Sequence, residues 1–338
     1  MGGDHMARSL RVVALSVVLV ASVAGCGAAH AVLGIHSAPK ANAASVPLTL
    51  DQATDILTRD FTAAQLGETT TGPAAQVALR TAYSGEGLRA ALARIRLAKV
   101  QPIGAVSPFL APRQPRLLAV PRGFGFPRVI LAQTVASEGP LPILYLLTSP
   151  DAATPYRISA SATMLLASSL RPFDALTRGS PLVTDGSGLA ASGTVLLQAY
   201  AAGMAFPAKA VANPPFTSDS FIAQVRAKAA GNAKAVAAQA SFSQVHQVVP
   251  NSVYAVRQAG GDALVFGVIE RTDSFKVKSG QAVSTAGNKE FVLLTGKKRV
   301  TRAATITTLE FVVFAVPRST GQATLVAASE QVVAGSGS

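Results

Sequence analysis

Cysteine and tryptophan are almost missing from this chain: its 338 residues carry one Cys, Cys26, and no Trp. One thiol excludes an intrachain disulfide and any metal centre built from several thiolates. Histidine is scarce as well. His5, His30 and His36 fall among the first forty residues, which leaves His246 for the rest of the chain. Neither a transition-metal site nor an organic cofactor is expected from so few ligands, and no Gly-x-x-x-x-Gly-Lys-Ser/Thr phosphate loop occurs. Acids are the rarer charge, 17 against 30 Lys plus Arg, for a net +13. Hydrophobic residues make up 49% and charged residues 14%. That balance excludes a disordered chain and suffices for a large core, with length for two domains at about 150 residues each.

Catalytic constellations are equally thin. Gly186-Ser187-Gly188 lacks the spacing of a nucleophile elbow. His246 lies in the alternating run 242–249, which predicts a half-buried or edge position on a strand rather than a catalytic base. Asp55 and Asp60 are five apart on one helical stretch and so point in different directions, unlike the paired carboxylates of glycoside hydrolysis. Asp60, beside Phe61, comes nearest to an acid for a pocket, but the simpler expectation is a solvated helix Asp. No catalytic residue and no metal ligand is assigned.

The single Cys has a context of its own. Met6-Ala-Arg8-Ser-Leu-Arg11 is a short positive segment, with Met1 or Met6 as the start, and Val12 to Ala24 is apolar. Thirteen residues are too few to span a bilayer as a helix. The run ends in Val23-Ala24-Gly25-Cys26, which resembles the lipobox of bacterial lipoproteins. The resemblance implies a signal peptide over 1–25, lipid attachment to the Cys26 thiol, and a protein held on the outer face of the cell membrane. The alternatives are an ordinary secretory signal cleaved after Ala29-His30-Ala31 and an uncleaved anchor. Residues 26–46 then read as a flexible tether.

Beyond the tether, one order of elements occurs twice. Thr49 and Gln52 have the spacing of a capping box, followed by Leu50, Ala53, Leu57, Phe61 and Ala64 on one helical face. Gly87 to Leu97 predicts a second helix, with Leu88, Ala91, Leu92 and Ile95 inward and Arg89, Arg94 and Arg96 solvated. Strand-length runs follow at 117–120, 128–135, 141–148 and 156–165. Their short connections favour antiparallel pairing. A Pro- and Gly-containing stretch, 169–187, reads as a linker. Val195, Leu196 and Tyr200, then 218–229, then 254–256, 264–267, 311–317 and 323–332 repeat the pattern. The offset between copies grows from 135 to 167 residues, an insertion of 32 over about 272–306. The predicted class is therefore α+β, with two tandem modules, 47–168 and 188–334, each a helix pair packed on a curved antiparallel sheet. This arrangement resembles the nuclear-transport-factor-two-like cone of the cystatin-like superfold. Over residues 47–334 the whole chain resembles a family of two-module lipoproteins of high-GC Gram-positive bacteria. The resemblance implies fold more than activity, because that superfold hosts enzymes, binders and scaffolds alike.

The insertion concentrates cations: Lys276, Lys278, Lys297, Lys298, Arg299 and Arg302, around a strand-like run from Glu290 to Thr295. A hairpin built there is expected to project them towards an anionic lipid, a wall polymer or an acidic protein. The plainer alternative is a solvated loop. Nucleic acid is not an expected partner, since no Trp and no stacked aromatics accompany the charge. The functional expectation is a non-enzymatic binding or scaffold protein at the cell envelope; the alternative is an enzyme using a cone-shaped pocket in one module.

Overall fold

A computed structural model describes residues 44–100, 115–123, 125–134 and 141–338. Cys26, the signal segment and most of the tether lie outside the described residues, as do Arg113 and Phe124. The fold is mixed α and β, within one compact unit, Asn42–Ser338. Chain ordering begins before the expected start at 47, for the Ser45 carbonyl accepts from Gly123 N at 2.9 Å and Val46 packs into a core.

Helix α1 (Leu50–Thr69) forms as the sequence predicts. Gln52 N donates to Thr49 Oγ1, and Thr49 N donates back to Gln52 Oε1. Its buried face is Ala53, Leu57, Phe61 and Ala64, whereas Leu50 is exposed. Helix α2 (Pro73–Ala82) starts with Pro at its first position, where no amide partner is lost. Helix α3 (Gly85–Leu97) has a face rotated from the expected one. Ala90, Ala91, Ala93, Arg94 and Leu97 are buried, and Leu92 points out. Among the described residues, the first half thus carries three helices, not a pair. Four strands follow: β1 (Arg116–Ala119), β3 (Arg128–Thr134), β4 (Ile143–Ser149) and β5 (Arg157–Met164), with the short β2 (Pro121–Arg122) after β1.

The segment expected as a linker is built into the fold. It contains β6 (Ser180–Val183), and Leu170 and Phe173 pack on the central core. The second half has α4 (Gly193–Met204), α5 (Ser220–Val236), β7 (Ala240–Val248), β8 (Tyr254–Arg257), β9 (Ala263–Val277), β12 (Ala303–Val316) and β13 (Thr324–Gly337). Between β9 and β12 lie β10 (Val283–Ser284), α6 (Lys289–Thr295) and β11 (Arg299–Val300).

All strands but β10 and β11 join one sheet in the order β1-β3-β4-β5-β13-β12-β9-β8-β6-β2, with β7 also on β9. Only Val120 separates β1 from β2, so one stretch of chain stands at both ends of the order and the curved sheet nearly closes. The halves meet where Met164 pairs with Ala327 and Thr163 with Ala328. Alternation along the strands sorts side chains to two faces. Leu131, Leu144, Leu146, Leu264, Phe266, Leu309 and Phe311 share a central core inside the curl. Ile130, Tyr145 and Ile158 face α1–α3, and Val265, Ile269, Val312 and Phe314 face α4 and α5.

The strand expected at Glu290–Thr295 is the helix α6. Asn288 Oδ1 accepts from Phe291 N at 2.9 Å, and Gly296, at φ +72°, ends the helix with its N–H on the Val292 carbonyl. These caps outweigh the β preference of Phe291 and Val292.

Candidate functional site

The helix-facing surface of the second half holds a buried charge centre. Cross-strand register places His246 opposite Arg271, Arg271 opposite Thr308, and Glu310 opposite Glu330. Each pair shares a face, so these side chains converge beneath α4 and α5. Arg271 Nη1 donates to Glu310 Oε1 at 2.8 Å and to Glu330 Oε2 at 2.9 Å; Nη2 reaches Thr308 Oγ1 at 3.3 Å. Asp273 Oδ2 stands 3.5 Å from Arg271 Nε, and His246 Nε2 stands 3.4 Å from Glu310 Oε1. From α5, Lys228 Nζ donates to Glu330 Oε1 at 2.9 Å. Gln244 closes the row by donating to the Met204 carbonyl at the end of α4.

Burial pulls the Arg271 guanidinium down, but Glu310, Glu330 and Asp273 outweigh it and hold it above its ordinary value. Burial pushes the Asp273 carboxyl up against the pull of Arg271. At Glu330 burial again raises, and Arg271 with Lys228 reverses it, leaving the carboxyl below its usual range. Five buried polar atoms of the centre make no hydrogen bond: both ring nitrogens of His246, Arg271 Nε, Asp273 Oδ1 and Glu310 Oε2. His246, expected at a half-buried or edge position, does lie on β7, but its side chain is fully enclosed.

The first half has a smaller counterpart. Arg94 Nη2 bonds Glu68 Oε1 at 2.6 Å, and Tyr83 Oη donates to the same oxygen at 2.7 Å. Arg94, expected in solvent, is therefore a buried partner of Glu68. Arg89 pairs with Glu86 and Glu270, and Arg96 reaches the Leu293 and Leu294 carbonyls at the end of α6. Asp60 is buried too, contrary to the expectation of a solvated helix Asp. Burial lifts its carboxyl to about 6, despite the opposing bond from Arg59 at 2.8 Å.

Open space lies elsewhere. A cavity of about 530 Å³ adjoins the first turn of α4, at Ser192, Gly193 and Thr194. A second, of about 270 Å³, adjoins the first turn of α3, at Ser84, Gly85 and Glu86. Both are lined by Pro150, Asn251 and Tyr254, so they form one cleft across the seam between the halves. Of the ionic groups above, Glu86, the half-buried partner of Arg89, lines the second cavity.

The six cations singled out in the sequence, Lys276, Lys278, Lys297, Lys298, Arg299 and Arg302, are all exposed. They occupy the end of β9, the turn into β11, β11 itself and the approach to β12. Lys278 Nζ donates to the Ala237 carbonyl at 2.6 Å. The expected hairpin exists only as the two-residue β10–β11 pair, Val283 with Val300 and Ser284 with Arg299. In the first half, Arg128 stacks over the exposed Phe126 ring at 4.4 Å.

Among the described residues, no group of three or more His, Cys, Asp and Glu is arranged to hold a metal ion. No helix of the described residues is long and apolar enough to cross a membrane. No known protein family, curated protein sequence or solved structure matches the chain.

Proposed function

We propose that this protein is a non-enzymatic binding lipoprotein, anchored by Cys26 to the outer face of the cell membrane, whose basic insertion contacts the anionic lipid surface. The observation that carries this reading is the placement of six exposed cations on one folded excursion of the chain. That excursion is fixed from both halves: α6 packs on β13, and Arg96 of α3 binds its last carbonyls. Each Lys or Arg near an anionic surface contributes about 1 kcal/mol, diminished by salt. Six acting together are worth at most roughly 6 kcal/mol, enough to hold a tethered domain against the bilayer. Buried ionisable groups, by contrast, find their main partners in one another.

The architecture is read here as a duplication. In support, β1-β3-β4-β5 and β8-β9-β12-β13 are laid out in the same order, with the last strand of each at the middle of the sheet. The proposal follows the resemblance to two-module lipoproteins with cystatin-like cones. Superposing 116–164 on 254–332 tests it; a different strand path would remove the duplication.

The test of function uses residues 42–338 and sedimentation with vesicles. Anionic vesicles should pull the protein down at low salt and release it as salt rises, whereas zwitterionic vesicles should not retain it. Changing the six cations to Gln should abolish sedimentation. Equal binding by the changed protein would refute the reading. Binding to purified wall polymer or to an acidic protein in place of vesicles would redirect it.

A further inference from the structure

The insertion encloses an apolar cavity of about 190 Å³. Phe275, Val277, Phe291, Val300, Ala304 and Ile306 supply its walls. They come from three sources: the far ends of β9 and β12, helix α6, and β11. Residues 271–277 and 304–308 show why the cavity stands apart from the ionic centre. Side chains on one face alternate along a strand. Arg271, Asp273, Phe275 and Val277 therefore share a face, and its polar part lies under α5 while its apolar part lies under α6. An apolar cavity is poorly hydrated and favours an apolar occupant.

Three of the six candidate cations, Lys297, Lys298 and Arg302, border this cavity through the backbone. Lys276 and Arg299 alternate along their strands with the wall residues Phe275, Val277 and Val300, so their side chains leave the opposite faces, and Lys278 Nζ is held by the Ala237 carbonyl. The Lys298 carbonyl accepts from Thr285 N at 3.0 Å and the Lys297 carbonyl accepts from Thr285 Oγ1 at 2.6 Å. Thr285 lines the cavity. The Arg302 carbonyl accepts from Val277 N at 2.8 Å. Lys297, Lys298 and Arg302 are thus each one hydrogen bond away from a wall residue. A polyanion alone would be met by the charges and would leave the cavity without a role. An apolar molecule alone would find the cavity and gain nothing from the charges.

We propose that the insertion is a binding site for an anionic membrane amphiphile, with one alkyl chain entering the cavity and the anionic headgroup held by Lys297, Lys298 and Arg302. The inference deepens the reading of the insertion as a contact for anionic lipid. It adds a pocket to what would otherwise be surface attraction. A cavity of about 190 Å³ accommodates roughly six groups of water or methylene size, at ~30 Å³ each. The site therefore takes the end of a chain or a short chain, not a whole lipid.

Calorimetric titration of residues 42–338 with butyl, hexyl and octyl phosphate, each below its micelle concentration, tests this directly. Affinity should rise by about fourfold per added methylene until the cavity is full. Octyl glucoside, uncharged, should bind more weakly than octyl phosphate. Ala304→Leu places extra carbons in the cavity and should reduce octyl phosphate to the affinity of butyl phosphate, while sedimentation with anionic vesicles falls less than twofold. If Ala304→Leu does not fold, Ala304→Val serves instead, adding fewer carbons at the same wall position. An affinity independent of chain length, or unchanged by a filled cavity, would overturn the proposal. Vesicle binding that persists in that case leaves the surface-charge reading intact. Chain-length dependence without vesicle binding would do the reverse.

Discussion

Removing Arg271 tests whether the buried charge centre is held together as its geometry implies. The guanidinium bonds Glu310 and Glu330 at 2.8 and 2.9 Å, and Glu310 has no exposure to solvent. Arg271→Met preserves much of the stem and deletes the charge, which leaves Glu310 buried with its strongest partner gone. Breaking a buried pair in this way costs about 3–5 kcal/mol. Lys228 stays on Glu330, so the damage falls on Glu310, which keeps only the distant imidazole of His246, and on the buried Asp273, which also loses its cation. Domains of this kind are stable by about 5–15 kcal/mol, so the variant should still fold. With a urea slope of about 3 kcal/mol/M, the unfolding midpoint should drop by roughly 1–2 M. Arg271→Met with Glu310→Gln removes both halves of the pair and should recover at least half of the loss. Urea unfolding followed by circular dichroism reads both variants. A drop below about 0.3 M for the single variant, or a double variant no better than the single, would refute the reasoning.

Other consequences are as specific. Asp60 titrates near 6 in the folded protein against an ordinary value of 3.8, so the folded state holds the proton more tightly. Stability should therefore fall as pH rises from about 4 to about 6, by about 3 kcal/mol, and Asp60→Asn should flatten that part of the curve; an unaltered slope would refute the assignment. Asp219 caps α5 through Ile222 N at 2.8 Å and accepts from the buried Tyr200 hydroxyl at 3.0 Å. Asp219→Ala loses both and should cost about 2–4 kcal/mol in urea unfolding, whereas a loss below about 1 would argue against the dual role. A Cβ on Gly87 would sit 2.6 Å from the Ile158 carbonyl oxygen, so Gly87→Ala should destabilise by about 1–3 kcal/mol as α3 is pushed off β5; no change in midpoint contradicts that packing. Cys26→Ser should abolish incorporation of radiolabelled fatty acid and leave the precursor uncleaved, and normal labelling would exclude the lipid anchor.

How far the fold was legible follows from particular residues. The capping box at Thr49 and the strand runs near 128–134, 143–149 and 157–164 carry local signals strong enough to place them. Helix α2 escaped because its buried face is Ala75, Ala78, Leu79 and Ala82, too small to stand out as an apolar stripe. The face of α3 was misjudged for a related reason. Small Ala side chains and the paired Arg94 face inward, while the larger Leu92 is exposed, so hydrophobicity alone points the helix the wrong way. At α6 a four-residue apolar stretch reads as strand, and the deciding information is in Asn288 and Gly296 on either side. The ionic centre could not be read at all. Arg271 is 39 residues from Glu310 and 59 from Glu330, and only the register of three strands brings them together. The cations of the insertion were visible as a charge run, but the cavity beside them depends on α6 folding over β9 and β12.

The central claim is that the insertion meets the lipid surface. Hydrogen exchange of the full-length, lipidated protein, compared between anionic and zwitterionic vesicles, addresses it residue by residue. The account predicts slower exchange on anionic vesicles confined to about 276–302, with the seam cleft around Asn251 and Tyr254 unchanged. Protection at the cleft instead, or identical exchange on both surfaces, would contradict it.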